Sequence, residues 1–304
     1  MLGRPGCPHK FQGGTSPNIC RVQRATVGRA NVPRKELAHV QHLHGEDVPV
    51  SSTRIDSRKA PCYPADGMRI LDLLHVLYPP ACLLCRAPLS CERLLCEACR
   101  QAMPQAGPLV CARCGAARSG NFDAARECAS CRQRPPAFDR ARASWHYLGP
   151  AKEAVRQFKY HHRWRLGRWL AQDMARVALR ELPVEDVATV LPIPRHWLKR
   201  RLQGCHPASE LAARVAELLQ KPHRPDGLRR IRWTSTQTRL PWAQRFANVH
   251  DAFRAKPSLA GHRSVLLVDD VFTSGATAHA AALAVKAVGV QRVFVLTAAR
   301  APVA

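Results

Sequence analysis

The sequence lacks any uninterrupted apolar run near the ~18 residues that a membrane-spanning helix needs, and its N-terminus lacks the apolar core of a secretory signal peptide. Both absences point to a soluble, cytoplasmic protein with no membrane span. Acidic residues are scarce: 22 Asp and Glu stand against 47 Lys and Arg, a formal net charge of +25. A field of that sign attracts polyanions, either nucleic acid or phosphorylated metabolites. Basic residues spread along the whole chain fit an arginine-rich coding bias equally well. Cysteine is nearly missing from the second half, where Cys205 stands alone after residue 131. Thirteen cysteines would otherwise suggest a secreted disulfide scaffold, but eight of them form four C-x-x-C pairs within residues 82–131. Metal ligation explains that repeated spacing, and a disulfide framework does not.

Residues 1–67 show neither helical nor strand periodicity and are rich in Pro, Gly, Ser, Arg and His, so little packed structure is expected there. The run Met68-Arg69-Ile70-Leu71-Asp72-Leu73-Leu74 begins a short amphipathic helix leading into the first cysteine pair, and translation is expected to start at Met68. An organelle transit peptide fits less well, because the segment is not free of acids. The chain therefore divides into an extension (1–67), a cysteine module (68–135) closed by Arg134-Pro135-Pro136, and a third part (136–304).

In the module, Cys82/Cys85, Cys96/Cys99, Cys111/Cys114 and Cys128/Cys131 are the candidate metal ligands. Two thiolates separated by two residues turn back onto one ion, and two such pairs complete a tetrahedral shell. Sequential pairing, giving two Zn²⁺ ions in two zinc ribbons, is the simplest arrangement; an interleaved one stays open. Gly115 after Cys114 suits the tight turn of such a pair. A closed Cys₄ shell has no open coordination position, so these ions stabilise the fold and do no chemistry. Chelation is expected to unfold residues 80–135 and largely spare the C-terminal domain. Cys91 reads as a spare thiol.

Beyond the module the pattern alternates. Strands are expected at 142–147, 187–193, 265–268 and 292–296, and helices at 151–160, 166–180, 208–220 and 277–288. Short apolar strands separated by helices imply an α/β fold with a parallel sheet covered on both faces. The most informative stretch is Val265-Leu266-Leu267-Val268-Asp269-Asp270-Val271-Phe272-Thr273-Ser274-Gly275-Ala276-Thr277. An apolar strand delivers two acids at its C-terminal end, where ligands of open parallel sheets bind. The helix after the loop offers unpaired N–H groups to a phosphate dianion. Gly275 and Ala276 let the backbone approach it, and the hydroxyls of Thr273, Ser274 and Thr277 add donors. Asp269 and Asp270 are placed to accept from ribose hydroxyls, directly or through Mg²⁺. A plain strand–turn–helix with a polar turn explains the adjacent acids poorly.

This loop resembles the phosphoribosyl-pyrophosphate signature of type I phosphoribosyltransferases, and the order of motifs over about residues 70–300 is similar to that of the ComF family, which includes the ComFC and GntX proteins. The resemblance is carried by Leu95-Cys96-Glu97-Ala98-Cys99, Phe158-Lys159-Tyr160 and Leu191-Pro192-Ile193-Pro194. It is carried further by Arg232-x-Thr234-x-x-Gln237-x-x-Leu240, by Arg245-x-x-Asn248-Val249-x-x-Ala252-Phe253, and by the loop itself. It implies a phosphoribosyltransferase-like domain behind a double zinc ribbon, with phosphoribosyl pyrophosphate and Mg²⁺ as ligands. It marks Gln237, Arg245 and Asn248 as signature residues of a lid segment, and the loop bearing Arg195, Lys199, Arg200 and Arg201 as the pyrophosphate side. Lys159 either reaches the phosphates or simply sits on its helix. The chain departs from the family where Gln203-Gly204-Cys205-His206 replaces the usual Arg-Gly-Phe-Asn. That change weighs against transfer chemistry more than against ribose-phosphate binding, and no residue stands out as general base for an acceptor.

Two functions are consistent with these features. One is phosphoribosyl transfer, in which positioning and charge stabilisation do most of the catalysis. The other is a non-catalytic adaptor in natural transformation, contacting incoming single-stranded DNA and a DNA-uptake helicase or processing protein. GntX resemblance adds a role in carbon utilisation. Trp164, Trp169, Trp233 and Trp242 read mostly as core or lid packing, with base stacking as the alternative.

Overall fold

A computed structural model of the chain describes residues 80–89, 93–106, 110–117, 126–161, 164–194, 206–232, 246 and 248–302. The extension 1–67, the start at Met68, Cys91, Arg195, Lys199, Arg200, Arg201, Gln237, Arg245, Trp233 and Trp242 lie outside these residues.

Four strands form one parallel sheet: β1 (Arg140–His146), β2 (Thr189–Pro192), β5 (Ser264–Phe272) and β6 (Arg292–Arg300), in the order β1-β6-β5-β2. Helices α3 (Gly149–His161) and α4 (Trp164–Glu181) carry the chain from β1 to β2 at the opposite edge. Helix α5 (Pro207–Leu218) comes after β2, and α6 (Ala276–Lys286) joins β5 to β6. A short antiparallel pair, β3 (Leu228–Arg230) and β4 (Phe253–Ala255), stands apart from the sheet.

Strand alternation sorts the apolar residues into two cores. Val190, Leu266, Val268 and Leu296 face Phe158 of α3, Leu170 and Met174 of α4, and Leu211 and Val215 of α5. Leu191, Val265, Leu267, Val293 and Val295 face Ala281 and Val285 of α6, with Phe253 and Phe138. Truncating any of these large buried side chains to Ala costs about 2–5 kcal/mol.

The cysteine module contains two short helices, α1 (Glu97–Gln101) and α2 (Ala129–Gln133). Its two halves sit on opposite cores: Cys82 and Leu95 join the first, while Cys111, Cys114 and Cys131 join the second. The module also covers the outer edge of β1, which would otherwise expose unpaired backbone groups. Ala141 N–H donates to the Arg113 carbonyl at 2.7 Å, and His146 N–H to the Pro104 carbonyl at 2.7 Å. The turn at Gly115 lies so close that a Cβ there would stand 2.7 Å from the Ala141 carbonyl oxygen.

Local signals explain the elements that frame the cleft. Helix α5 starts at Pro207, with His206 Nδ1 accepting the Ser209 N–H at 2.9 Å as its N-cap. His206 therefore performs a capping task at the start of this helix. No described helix is long and apolar enough to cross a membrane.

Candidate ligand cleft and cysteine clusters

At the C-terminal ends of β5 and β6 a cleft of about 260 Å³, its solvent-open mouth included, is lined by Asp269, Thr273, Gly275 and Thr277, with Ile193 and Thr297 beside them. Strand β5 continues past the acids to Phe272, and Gly275 then turns the chain into α6 with φ +81°. Few side-chain-bearing residues adopt that conformation. Space is a second constraint, because a Cβ at position 275 would lie 2.7 Å from Cζ of Phe272. Ser274 Oγ accepts the Ala276 N–H at 3.4 Å; Ala276 is fully buried, whereas Ser274 is half-buried.

The twin aspartates part company. Asp269 lines the cleft, and its Oδ1 accepts the N–H of Asp270 at 2.9 Å. Arg230 of β3 lies within electrostatic range of Asp269: burial lowers the guanidinium's pKa, and the Asp269 charge opposes that pull. Asp270, only 7% exposed, pairs with Lys159 Nζ of α3 at 2.8 Å. Lys159 thus sits on its helix and neutralises a buried carboxylate.

Asn248 stands at the foot of the segment between β3 and β4, where its carbonyl and that of His250 accept from Arg232 Nη2 at 3.1 and 2.5 Å. Phe246 meets the ring of His279 at 5.8 Å, and His279 Nδ1 accepts the Ala137 N–H at 3.0 Å. Burial lowers the His279 pKa, consistent with a neutral ring acting as acceptor. Of the tryptophans, Trp169 stacks on Trp145 at 5.9 Å, while Trp164 meets the edge of Phe158 and remains 44% exposed.

The eight cysteines gather sequentially, Cys82, Cys85, Cys96 and Cys99 in one group and Cys111, Cys114, Cys128 and Cys131 in the other, with the sulfurs of each group all within 4.8 Å of one another. Four sulfurs ~2.3 Å from a tetrahedral ion stand ~3.8 Å apart. The Cys85–Cys96 and Cys114–Cys128 separations of 3.5 and 3.8 Å match that spacing. Interleaved pairing is thereby ruled out. The N–H groups of Cys114 and Cys128 point at Cys111 Sγ at 3.5 and 3.2 Å, and that of Cys99 at Cys96 Sγ at 3.4 Å. Burial raises the Cys82 thiol, but backbone N–H groups of Cys85, Cys96 and Leu84 outweigh it and bring it down to about 6. Hydrogen bonds from Cys114 and Cys131 hold Cys111 well below the ordinary thiol range. Donors that favour thiolate at one sulfur of each group suit a metal cation, and both groups fit structural Zn²⁺.

Residues 73–133 match the model of the double zinc ribbon domain. Over 226 residues the chain is 26% identical to Competence protein F of Haemophilus influenzae, covering 72% of this chain and 96% of that protein. It is 30% identical over 211 residues to DNA utilization protein YhgH of Salmonella typhi, covering 66% of this chain and 87% of that protein. The chain belongs to the ComF family. The YhgH protein of Escherichia coli K12 is 27% identical over 207 residues.

Three side chains around the cleft of this ComF protein were not singled out by sequence: Arg230 near Asp269, Phe272 against Gly275, and Arg300, whose guanidinium lies 4.4 Å from the centre of the Phe272 ring. Arg230 and Arg300 carry no local pattern that separates them from other arginines. Phe272 reads as one more apolar strand residue until the ring is seen beneath Gly275. The sequence signal for all three is weak, because each acts on a partner distant in the chain or set by the turn.

Proposed function

We propose that the cleft between the end of β5 and the start of α6 binds the ribose 5-phosphate group of phosphoribosyl pyrophosphate, within a phosphoribosyltransferase-like domain. The observation that carries this reading is the convergence of Asp269, Thr273, Gly275 and Thr277 on one opening at the C-terminal ends of parallel strands. A phosphate dianion there meets the N–H groups and partial positive charge of α6. The hydroxyls of Thr273 and Thr277 supply further donors, and the Asp269 carboxylate accepts from a ribose hydroxyl. Asp270 holds the strand end through Lys159. Mg²⁺ bound together with the pyrophosphate would neutralise charge on its oxygens. Arg195, Lys199, Arg200 and Arg201 would hold the pyrophosphate, with Gln237, Arg245 and Asn248 closing over it. In transfer, the bond from C1 to the pyrophosphate oxygen breaks as an acceptor nucleophile bonds C1.

The names of the relatives point to competence and DNA use, and we extend to this chain a cytoplasmic role linked to DNA uptake in natural transformation. A second reading is an adaptor for single-stranded DNA or a processing partner. It is favoured by Tyr160 and Trp164, 65% and 44% exposed near the exposed Arg165 and Arg168, since aromatic faces beside cations suit unpaired bases. Titration calorimetry with phosphoribosyl pyrophosphate and Mg²⁺, set beside DNA binding over a salt series, separates the two. Saturable ligand heat supports the first. No ligand heat, with DNA affinity falling steeply in salt, supports the second.

A further inference from the structure

We propose that Arg300 is a positioning residue tying the phosphate loop to the second cysteine cluster, so that metal occupancy of that cluster sets the order of the loop. The proposal rests on the ligand reading above and assigns that site a regulator.

Arg300 ends β6 directly opposite Phe272 in the sheet register and is 7% exposed. One side of its guanidinium faces the cluster: Nη1 donates to the Cys114 carbonyl at 2.6 Å, and Nη2 lies 3.6 Å from Cys114 Sγ. Its flat face lies 4.4 Å from the centre of the Phe272 ring, a cation–π distance. The other contacts of that ring complete the path. Phe138 meets it edge-on at 5.8 Å, and the ring sits where a Cβ on residue 275 would need to be. Cluster, guanidinium, ring and loop are thus in van der Waals or hydrogen-bond contact in series.

The charges explain why this path responds to metal. A buried guanidinium needs an anionic or strongly polar neighbour. No carboxylate pairs with Arg300 among the described residues; its hydrogen-bond partners are the carbonyl and sulfur of Cys114. Four thiolates around a dication leave the filled cluster with two formal negative charges beside it. The ion also fixes the turn from Cys111 to Gly115 that carries the Cys114 carbonyl. When the ion leaves, that turn opens and Arg300 loses its seat. Phe272 then loses the cation packed on its face, and the ring that props Gly275 is no longer held. Among the described residues the first cluster makes no such contact, and Cys82 and Leu95 pack on the opposite core.

Coupling of this kind is reciprocal in binding free energy. Hydrogen exchange of the amides of residues 273–278 tests it without any ligand, using the full chain with its zinc content measured. Arg300→Met and Phe272→Leu should exchange there at least ten-fold faster than wild type while retaining two zinc ions. Cys128→Ser, which weakens the second cluster, should do the same, and Cys85→Ser in the first cluster should not. If loop exchange is unchanged in Arg300→Met, or if Cys85→Ser and Cys128→Ser act alike, the proposal is overturned. Should Arg300→Met fail to fold, Phe272→Leu and the cysteine pair decide by the same criteria. Phosphoribosyl pyrophosphate affinity should fall about ten-fold in Arg300→Met. A wild-type chain that never binds this ligand sinks the ligand reading alone, because the exchange comparison still judges the coupling.

Discussion

Replacing Gly275 by Ala imposes two separable penalties. The first is conformational: at φ +81° a side-chain-bearing residue costs roughly 1–2 kcal/mol. The second is steric, because the new Cβ meets Cζ of Phe272 at 2.7 Å and Cε1 at 3.0 Å. Phe272 cannot swing away, being held by Phe138 on its edge and Arg300 on its face. Overpacking of this kind costs about 1–3 kcal/mol, so the total is roughly 2–5 kcal/mol. Gly289 provides the control: its φ is +96°, and no atom lies within 4 Å of a Cβ built there. Gly289→Ala should therefore show the conformational penalty alone. Urea unfolding followed by circular dichroism measures both. Adding Phe272→Leu to Gly275→Ala should return part of the excess, a coupling of about 1 kcal/mol or more between touching residues. Equal costs at 275 and 289 would refute the picture of a phosphate loop seated on an immobile ring.

Lys159→Met should cost about 3–5 kcal/mol in urea unfolding, since it leaves the buried Asp270 carboxylate without its ammonium partner; adding Asp270→Asn should recover most of that loss. Burial raises Asp173 to about 6, with Arg176 and Arg100 pulling the other way. The folded chain thus holds this proton more tightly than the unfolded chain, whose Asp titrates near ~3.9. Stability should fall by about 2–3 kcal/mol as pH rises from ~4 to ~6 and then level off, and Asp173→Asn should flatten that part of the curve. His279 behaves oppositely: its folded pKa is depressed, so its contribution is present above ~6.5 and is lost as pH falls. His279→Asn, which keeps an acceptor for Ala137 N–H, should reduce that acid loss. Chelation should lower the melting temperature of the whole described unit rather than of residues 80–135 alone, because cysteines of both clusters belong to the sheet's two cores. A sheet transition indifferent to chelator, seen by calorimetry, would contradict this.

Much of the architecture was legible because single apolar runs dictate it. Val265–Val268, a short apolar run ending in two acids, reads as a strand buried on both faces, and the Ala-rich stretch after Gly275 as a helix packed close to it. Cysteine spacing made sequential clusters the simplest arrangement but left interleaving open, and the positions of the sulfurs decide it. Strand ends were less legible. Thr297, Ala298, Ala299 and Arg300 have modest strand character of their own, yet β6 runs to Arg300 because β1 and β5 pair with it on both sides. The β3–β4 pair is too short to show a period. The cleft was half legible: adjacency of Asp269 and Asp270 suggested a shared task, but alternation along a strand sends neighbouring side chains to opposite faces. One meets the cleft and the other meets Lys159. Contacts such as Arg300 with Cys114 join residues far apart in the chain and leave no local pattern.

The most direct test is equilibrium dialysis of labelled phosphoribosyl pyrophosphate with Mg²⁺ against the zinc-loaded full chain, wild type beside Asp269→Asn. We predict saturable one-to-one binding by wild type, weakened at least ten-fold by the substitution. Absence of saturation in wild type, or equal affinity in the two proteins, would contradict the assignment of the cleft.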